Sequence, residues 1–167
     1  MKKIVPFILV ILSLIVIPSC KKGEDDPFIS FRSRDARITA KWKLVNYESQ
    51  SSYNGSSSTQ VLNGSIYTST NSSGSYSYSY SKELEINSDG TYKITTIRDG
   101  ETSTESSIWY WINGTQNKSG IYLNNDYIID RLSHNDLILR SESNSSYVID
   151  GITSNSISKS IQTYERQ

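Results

Sequence analysis

The residues able to do chemistry fall into three groups. The first is a thiol: Cys20 is the one cysteine among 167 residues. It follows the apolar stretch Ile4–Ile17 and Pro18-Ser19, and no disulfide can form within the chain. The second group is polar. His134, the one histidine, sits in a stretch that reads as a turn, where it is solvated. Glu83 and Glu85 share one parity of a strand, about 7 Å apart, a separation compatible with a glycosidase pair. They lie opposite the apolar parity and read as solvent-facing. No Gly-x-Ser-x-Gly elbow accompanies the serines, and no His/Cys cluster suits zinc. The expectation is therefore no catalytic set, no metal, no cofactor and no enzyme. The third group is aromatic. Tyr76, Tyr78 and Tyr80 alternate along one strand, and Trp109 and Trp111 alternate along another. Such rows can line a ligand cavity, stack on sugars when exposed, or fill a core. The sequence leaves these three uses open and makes the five aromatics the candidate ligand-binding residues.

The segment leading to Cys20 has its own logic. Lys2 and Lys3 precede Ile4–Ile17, which at 1.5 Å per residue covers about 21 Å, short of a ~30 Å hydrocarbon core. That is signal-peptide length, over residues 1–19. Ile17-Pro18-Ser19-Cys20 resembles the lipobox of bacterial lipoproteins, with Ile17 in place of the usual Leu. The resemblance implies that Cys20 becomes the lipid-bearing first residue of the mature protein, held at the outer membrane of a bacterial envelope. Lys21 to Pro27 is charged and non-periodic and reads as a tether. Its run Glu24-Asp25-Asp26 resembles the surface-export signal of Bacteroidota lipoproteins, and a plain solvated linker is the alternative. Phe28 to Arg37 mixes aromatic and Arg residues and is expected to lie across one end of the domain. Residues 20–37 thus form the lipidated N-terminus and tether, and 38–167 the folded domain.

What must position the aromatics is a set of strands. Alanine is nearly absent, while Ser, Thr, Asn and the 12 Tyr dominate, a composition that favours strands over helices. Lys plus Arg and Asp plus Glu balance at 17 each. No basic stripe is present, which argues against a nucleic-acid partner. The clearest segment runs from Ser75 to Ile86, with Tyr76, Tyr78, Tyr80, Leu84 and Ile86 on one parity and Lys82 the single break. Ser88-Asp89-Gly90 and Asp99-Gly100 read as hairpin turns. Glu101 to Asn113 reads as one returning strand, Ser49 to Thr59 as a polar loop around Asn54-Gly55, Val61 to Thr68 as a weak strand, and Ser143 to Ser146 as a loop. Hairpins flank His134-Asn135-Asp136, and a last strand runs from Ile157 to Tyr164. The expected fold is all-β: an up-and-down antiparallel β-barrel of about eight to ten strands, with a β-sandwich as the alternative.

Three stretches carry a further resemblance. Ile38-Thr39-Ala40-Lys41-Trp42-Lys43-Leu44 resembles the opening strand of lipocalin-like proteins, with Ala40 where their Gly stands. Leu84 to Tyr92, and Tyr127 to Ser133 with Leu137 to Leu139, resemble later hairpins of lipocalin-like lipoproteins of Bacteroidota. The resemblance implies a barrel closed at one end near Trp42, with an Arg from a late strand, Arg140 or Arg166, packed on that Trp. It says little about a ligand. Two functions follow as expectations. One is a membrane-anchored, monomeric barrel that binds a small apolar or amphipathic molecule. The other is an accessory surface lipoprotein that contacts a protein or a glycan. A hollow interior lined by the Trp and Tyr rows would favour the first, and a filled interior with exposed aromatics the second.

Overall fold

The computed structural model describes residues 32–114, 117–149 and 152–167. Cys20, the expected signal peptide and most of the expected tether lie outside the described residues. Among these residues no helix is long and apolar enough to cross a membrane. The chain opens with a short helix, α1 (Arg34–Ile38), capped by the Ser33 side chain, which accepts from the Ala36 N–H. Eleven strands follow: β1 (Lys41–Tyr53), β2 (Ser56–Asn63), β3 (Ile66–Asn71), β4 (Gly74–Ile86), β5 (Thr91–Arg98), β6 (Glu101–Ile108), β7 (Tyr110–Asn113), β8 (Asn117–Tyr122), β9 (Asp126–Leu132), β10 (Asp136–Ile149) and β11 (Ile152–Arg166).

Each strand pairs with its sequence neighbour except β6 with β7, and β1 also pairs with β4 and with β11, joining the first strand to the last. β6 and β7 do not pair with each other. They are instead one chain path, bent at Trp109, whose first half pairs with β5 and second half with β8. This path closes the barrel, whose walls are β1, β4, β5, β6–β7, β8, β9, β10 and β11. The fold is thus the expected all-β antiparallel barrel, with β2 and β3 as extra strands.

The extra hairpin arises at a fork in β1. Lys41–Lys43 pair with Glu83–Glu85 of β4, whereas Asn46–Tyr53 pair with β2. At the fork the register against β11 slips between Leu44 and Asn46, leaving Val45 as a bulge. A bulge bends its strand, so β1 leaves β4 and the β2–β3 hairpin fills the gap. Beyond the fork, β10, β11, β1, β2, β3 and the start of β4 continue as an open sheet.

The hairpins follow their turn residues. Asn54-Gly55 (φ 48° and 83°) and Asp99-Gly100 (φ 49° and 87°) place both central residues in the left-handed region. A two-residue hairpin turn needs this, and it matches the twist of the flanking strands. Three expectations change. Ser49 to Thr59 is strand on either side of the Asn54-Gly55 turn, Ser143 to Ser146 is strand rather than loop, and Val61 to Thr68 is split between β2 and β3 by a turn at Gly64. Serines occupy both parities of the first two stretches, so no apolar alternation marks them.

The core sits at the end of the barrel where α1 lies. Trp42, Leu84, Ile121, Ile129, Leu132, Leu137, Leu139 and Tyr164 are buried there, with Ile38 of α1 laid over them. The Trp42 indole N–H donates to the Ile38 carbonyl at 2.9 Å. The Arg166 guanidinium lies 5.2 Å from the Trp42 ring and donates to the Arg37 carbonyl at 2.9 Å. Of the two candidate arginines, Arg166 is the one at Trp42. Arg140 pairs instead with Asp130 and Glu142.

A second tie fixes α1 to the barrel. Asp35 accepts from the Trp111 indole N–H at 2.8 Å and from the Lys118 ammonium. Burial alone would raise the Asp35 pKa, but these hydrogen bonds and the Lys118 charge hold it below its ordinary value. A carboxylate with a depressed pKa contributes stability above its unfolded value near ~4 and loses it as pH falls through the folded value. The side chain is 52% exposed, so solvent screening keeps the effect under about 1 kcal/mol. Asp35→Asn is expected to be less stable than the parent at pH 6, and the gap should close below about pH 3. Urea unfolding at several pH values checks it.

Candidate functional site

The fork in β1 creates a concave feature that gathers tyrosines. Tyr47 of β1, Leu62 of β2, Tyr67 of β3 and Tyr78 of β4 are directly paired across their strands, so they share one face. Their rings stack in series. Centroids are 5.9 Å apart for Tyr47–Tyr67, 4.8 Å for Tyr67–Tyr78 and 6.3 Å for Tyr78–Tyr76. Tyr80 tilts against Tyr67 at 5.5 Å. The Arg98 guanidinium covers the far side of Tyr78 at 3.9 Å, a favourable cation–π position.

Below the rings lies an open cleft of about 200 Å³, bounded by Leu44, Tyr47, Tyr67, Tyr80, Lys82 and Gln162. It exists because β4 has no ladder partner over Tyr80–Lys82 on the side facing the fork, except the Tyr80 N–H, which donates to the Ser65 carbonyl at 2.8 Å. Lys82, the break in the apolar parity, points into this gap, and its ammonium donates to the Gln162 carbonyl oxygen at 3.4 Å. Gln162 is buried and also accepts from the Tyr164 hydroxyl at 2.6 Å. The floor is thus polar and satisfied, while the walls are aromatic.

Burial raises the Tyr67 pKa well above the ordinary phenol value, and the neighbouring phenols of Tyr47, Tyr78 and Tyr76 add to the rise. Burial likewise raises Tyr80, with Lys82 opposing. Neutral phenols can both donate and accept.

The other sequence candidates lie elsewhere. Trp111 is buried and Trp109 half-buried against the core. Their rings meet edge to face at 5.6 Å. The Trp109 indole donates to the Asn87 carbonyl at 2.8 Å, and its backbone N–H to the Gly90 carbonyl at 2.8 Å. Trp109 therefore pins the bend that closes the barrel, and Trp111 carries the Asp35 contact. Neither borders the cleft. His134 is exposed beside Arg166 at 3.2 Å, and Glu83 and Glu85 are on the outside, next to Gln167 and Lys41. Tyr76 is half-exposed at the end of the ring series. Comparison with protein-family models, with curated proteins and with solved structures gave no match.

Sequence reasoning found Tyr76, Tyr78 and Tyr80 but not Tyr47, Tyr67 or Gln162 as site residues. Tyr47 and Tyr67 join the row through strand register, and a register across β2 is invisible without knowing that the hairpin inserts. The one available signal was Lys82, a charge on an apolar parity.

Proposed function

We propose that this chain is a membrane-anchored envelope lipoprotein that binds a glycan at the open tyrosine-lined cleft, and that it is not an enzyme. The observation that carries the reading is the ring series Tyr47, Tyr67 and Tyr78 stacked beside Lys82 and Gln162. The cleft continues the inner face of the barrel above the core, where Leu44 and Gln162 are buried, and at about 200 Å³ it is smaller than the ~300–1,000 Å³ of typical small-molecule sites. A sugar ring presents one apolar face and a rim of hydroxyls, and stacked phenols beside Lys82 and Gln162 offer the matching surface.

The placement of the chain ends supports the same reading. The lipid anchor would join α1, at the Trp42 end of the barrel. The cleft opens part-way up β1, and the open sheet continues beyond it. A lipid-binding site would serve better facing the bilayer.

Two measurements test the reading. Cys20→Ser is expected to lose labelled palmitate and leave the membrane fraction, since two or more acyl chains are needed for stable anchoring. The soluble Cys20→Ser chain should then give saturable binding to neutral glycans in calorimetry. Palmitate retained by the variant would refute the anchor, and a chain that binds fatty acid but no glycan would refute the ligand.

A further inference from the structure

The face that carries the tyrosine row does not stop at the cleft. Above Tyr47, β1 places Ser49 and Ser51 on the same side. Ser160 of β11 and Ser141 of β10 are in register with Ser49, and Ser158 and Ser143 with Ser51. Paired residues in adjacent antiparallel strands point to one face, so these are two parallel rows of hydroxyls. On the β2 side Ser58 continues the second row, with its hydroxyl 2.7 Å from that of Ser51. At the tip stands Tyr53, half exposed and in register with Ser156. From Tyr47 to Tyr53 the strand advances about 20 Å.

Lys82 and Arg98 supply charge at the cleft, but the serine rows beyond it are uncharged. Over the same stretch, Glu48 of β1, Arg140 and Glu142 of β10 and Lys159 of β11 all fall on the opposite parity, where Lys159 and Glu142 pair at 3.3 Å. The tip is fixed: Asn54 donates from its side chain to the Ser154 hydroxyl at 3.2 Å and accepts from the Asn155 N–H at 2.9 Å. The hydroxyls are therefore held on a continuous ladder, each able to donate and accept.

We propose that this face is an extended platform for a neutral polysaccharide, with one sugar ring in the tyrosine cleft, the serine rows under the following rings, and Tyr53 at the far end. The proposal rests on the glycan reading of the cleft and adds the class of ligand: a chain of several uncharged sugars rather than a single sugar or an acidic polymer. A peptide would gain little from the serine rows, which offer neither apolar pockets nor charge. A polyanion would find no clustered Lys and Arg.

The test uses the soluble Cys20→Ser chain on an array of neutral and acidic glycans one to six sugars long, followed by calorimetry with the best neutral hexamer and its monosaccharide. The hexamer is expected to bind about tenfold tighter or more, through a few additional net hydrogen bonds. The double substitution Ser51→Ala with Ser158→Ala should erase that advantage and leave monosaccharide binding intact, with an unchanged far-UV spectrum. Equal affinity for hexamer and monosaccharide would overturn the platform but keep the cleft. Binding of acidic chains or peptides alone would overturn the ligand class. Binding of no glycan at any length would overturn both proposals.

Discussion

Replacing Trp42 by Ala is expected to cost about 3–5 kcal/mol of stability, the range for truncating a fully buried large aromatic. Trp42 is 0% exposed and sits where three parts of the chain meet. Its neighbours in the ladder are Leu84 of β4 and Arg166 of β11, and its indole holds Ile38 at the end of α1. Truncation leaves a cavity, an unpaired Ile38 carbonyl and an Arg166 guanidinium without its ring. In urea, where small proteins lose ~1–3 kcal/mol per molar, the midpoint should fall by about 2 M at constant slope. Tyr110→Ala, at a ring that is half exposed and stacked only on Tyr122 at 4.7 Å, should cost about 1 kcal/mol. A Trp42→Ala loss no larger than this control would mean that the Trp42 end is not the packed core described here.

Tyr67→Ala is expected to remove glycan binding by more than about tenfold while costing only about 1–2 kcal/mol of stability. Tyr67 is the middle ring of the series, touching Tyr47, Tyr78 and Tyr80. Losing it deletes the central wall of the cleft and frees the two rings beside it. Tyr67→Phe keeps the stack and removes one hydroxyl, so it should bind with intermediate affinity. Equal binding by Tyr67→Ala and the parent, in calorimetry of folded protein, would place the ligand elsewhere.

The barrel was legible because its turns are written in residue types and its core strands alternate. Asp99-Gly100, Ser88-Asp89-Gly90 and the Tyr76-to-Ile86 parity each gave an element directly. The bend at Trp109 was not legible. Glu101 to Asn113 reads as one strand, and only the partners on either side divide it. The β2–β3 hairpin escaped for a related reason. Serine on both parities leaves no hydrophobic period, so strands that rise above the core resemble loops. The site inherits that blindness: Tyr47 and Tyr67 join Tyr78 through pairing across β2, a strand the periodicity does not reveal. The Trp pair shows the converse. Alternation placed Trp109 and Trp111 on one face, but only packing distinguishes a core from a cavity.

The central claim is that the ligand meets the tyrosine face above the core rather than the Trp109–Trp111 end. The three tryptophans provide the direct measurement, since none borders the cleft. A neutral glycan hexamer should be titrated into the isotope-labelled, soluble Cys20→Ser chain while indole and tyrosine ring resonances are followed by NMR. The expected result is saturable shifts at Tyr47, Tyr67 and Tyr78, with the indole N–H signals of Trp42, Trp109 and Trp111 unmoved. Shifts at the Trp109 and Trp111 indoles with the tyrosines unmoved would place the ligand inside the barrel and contradict the account.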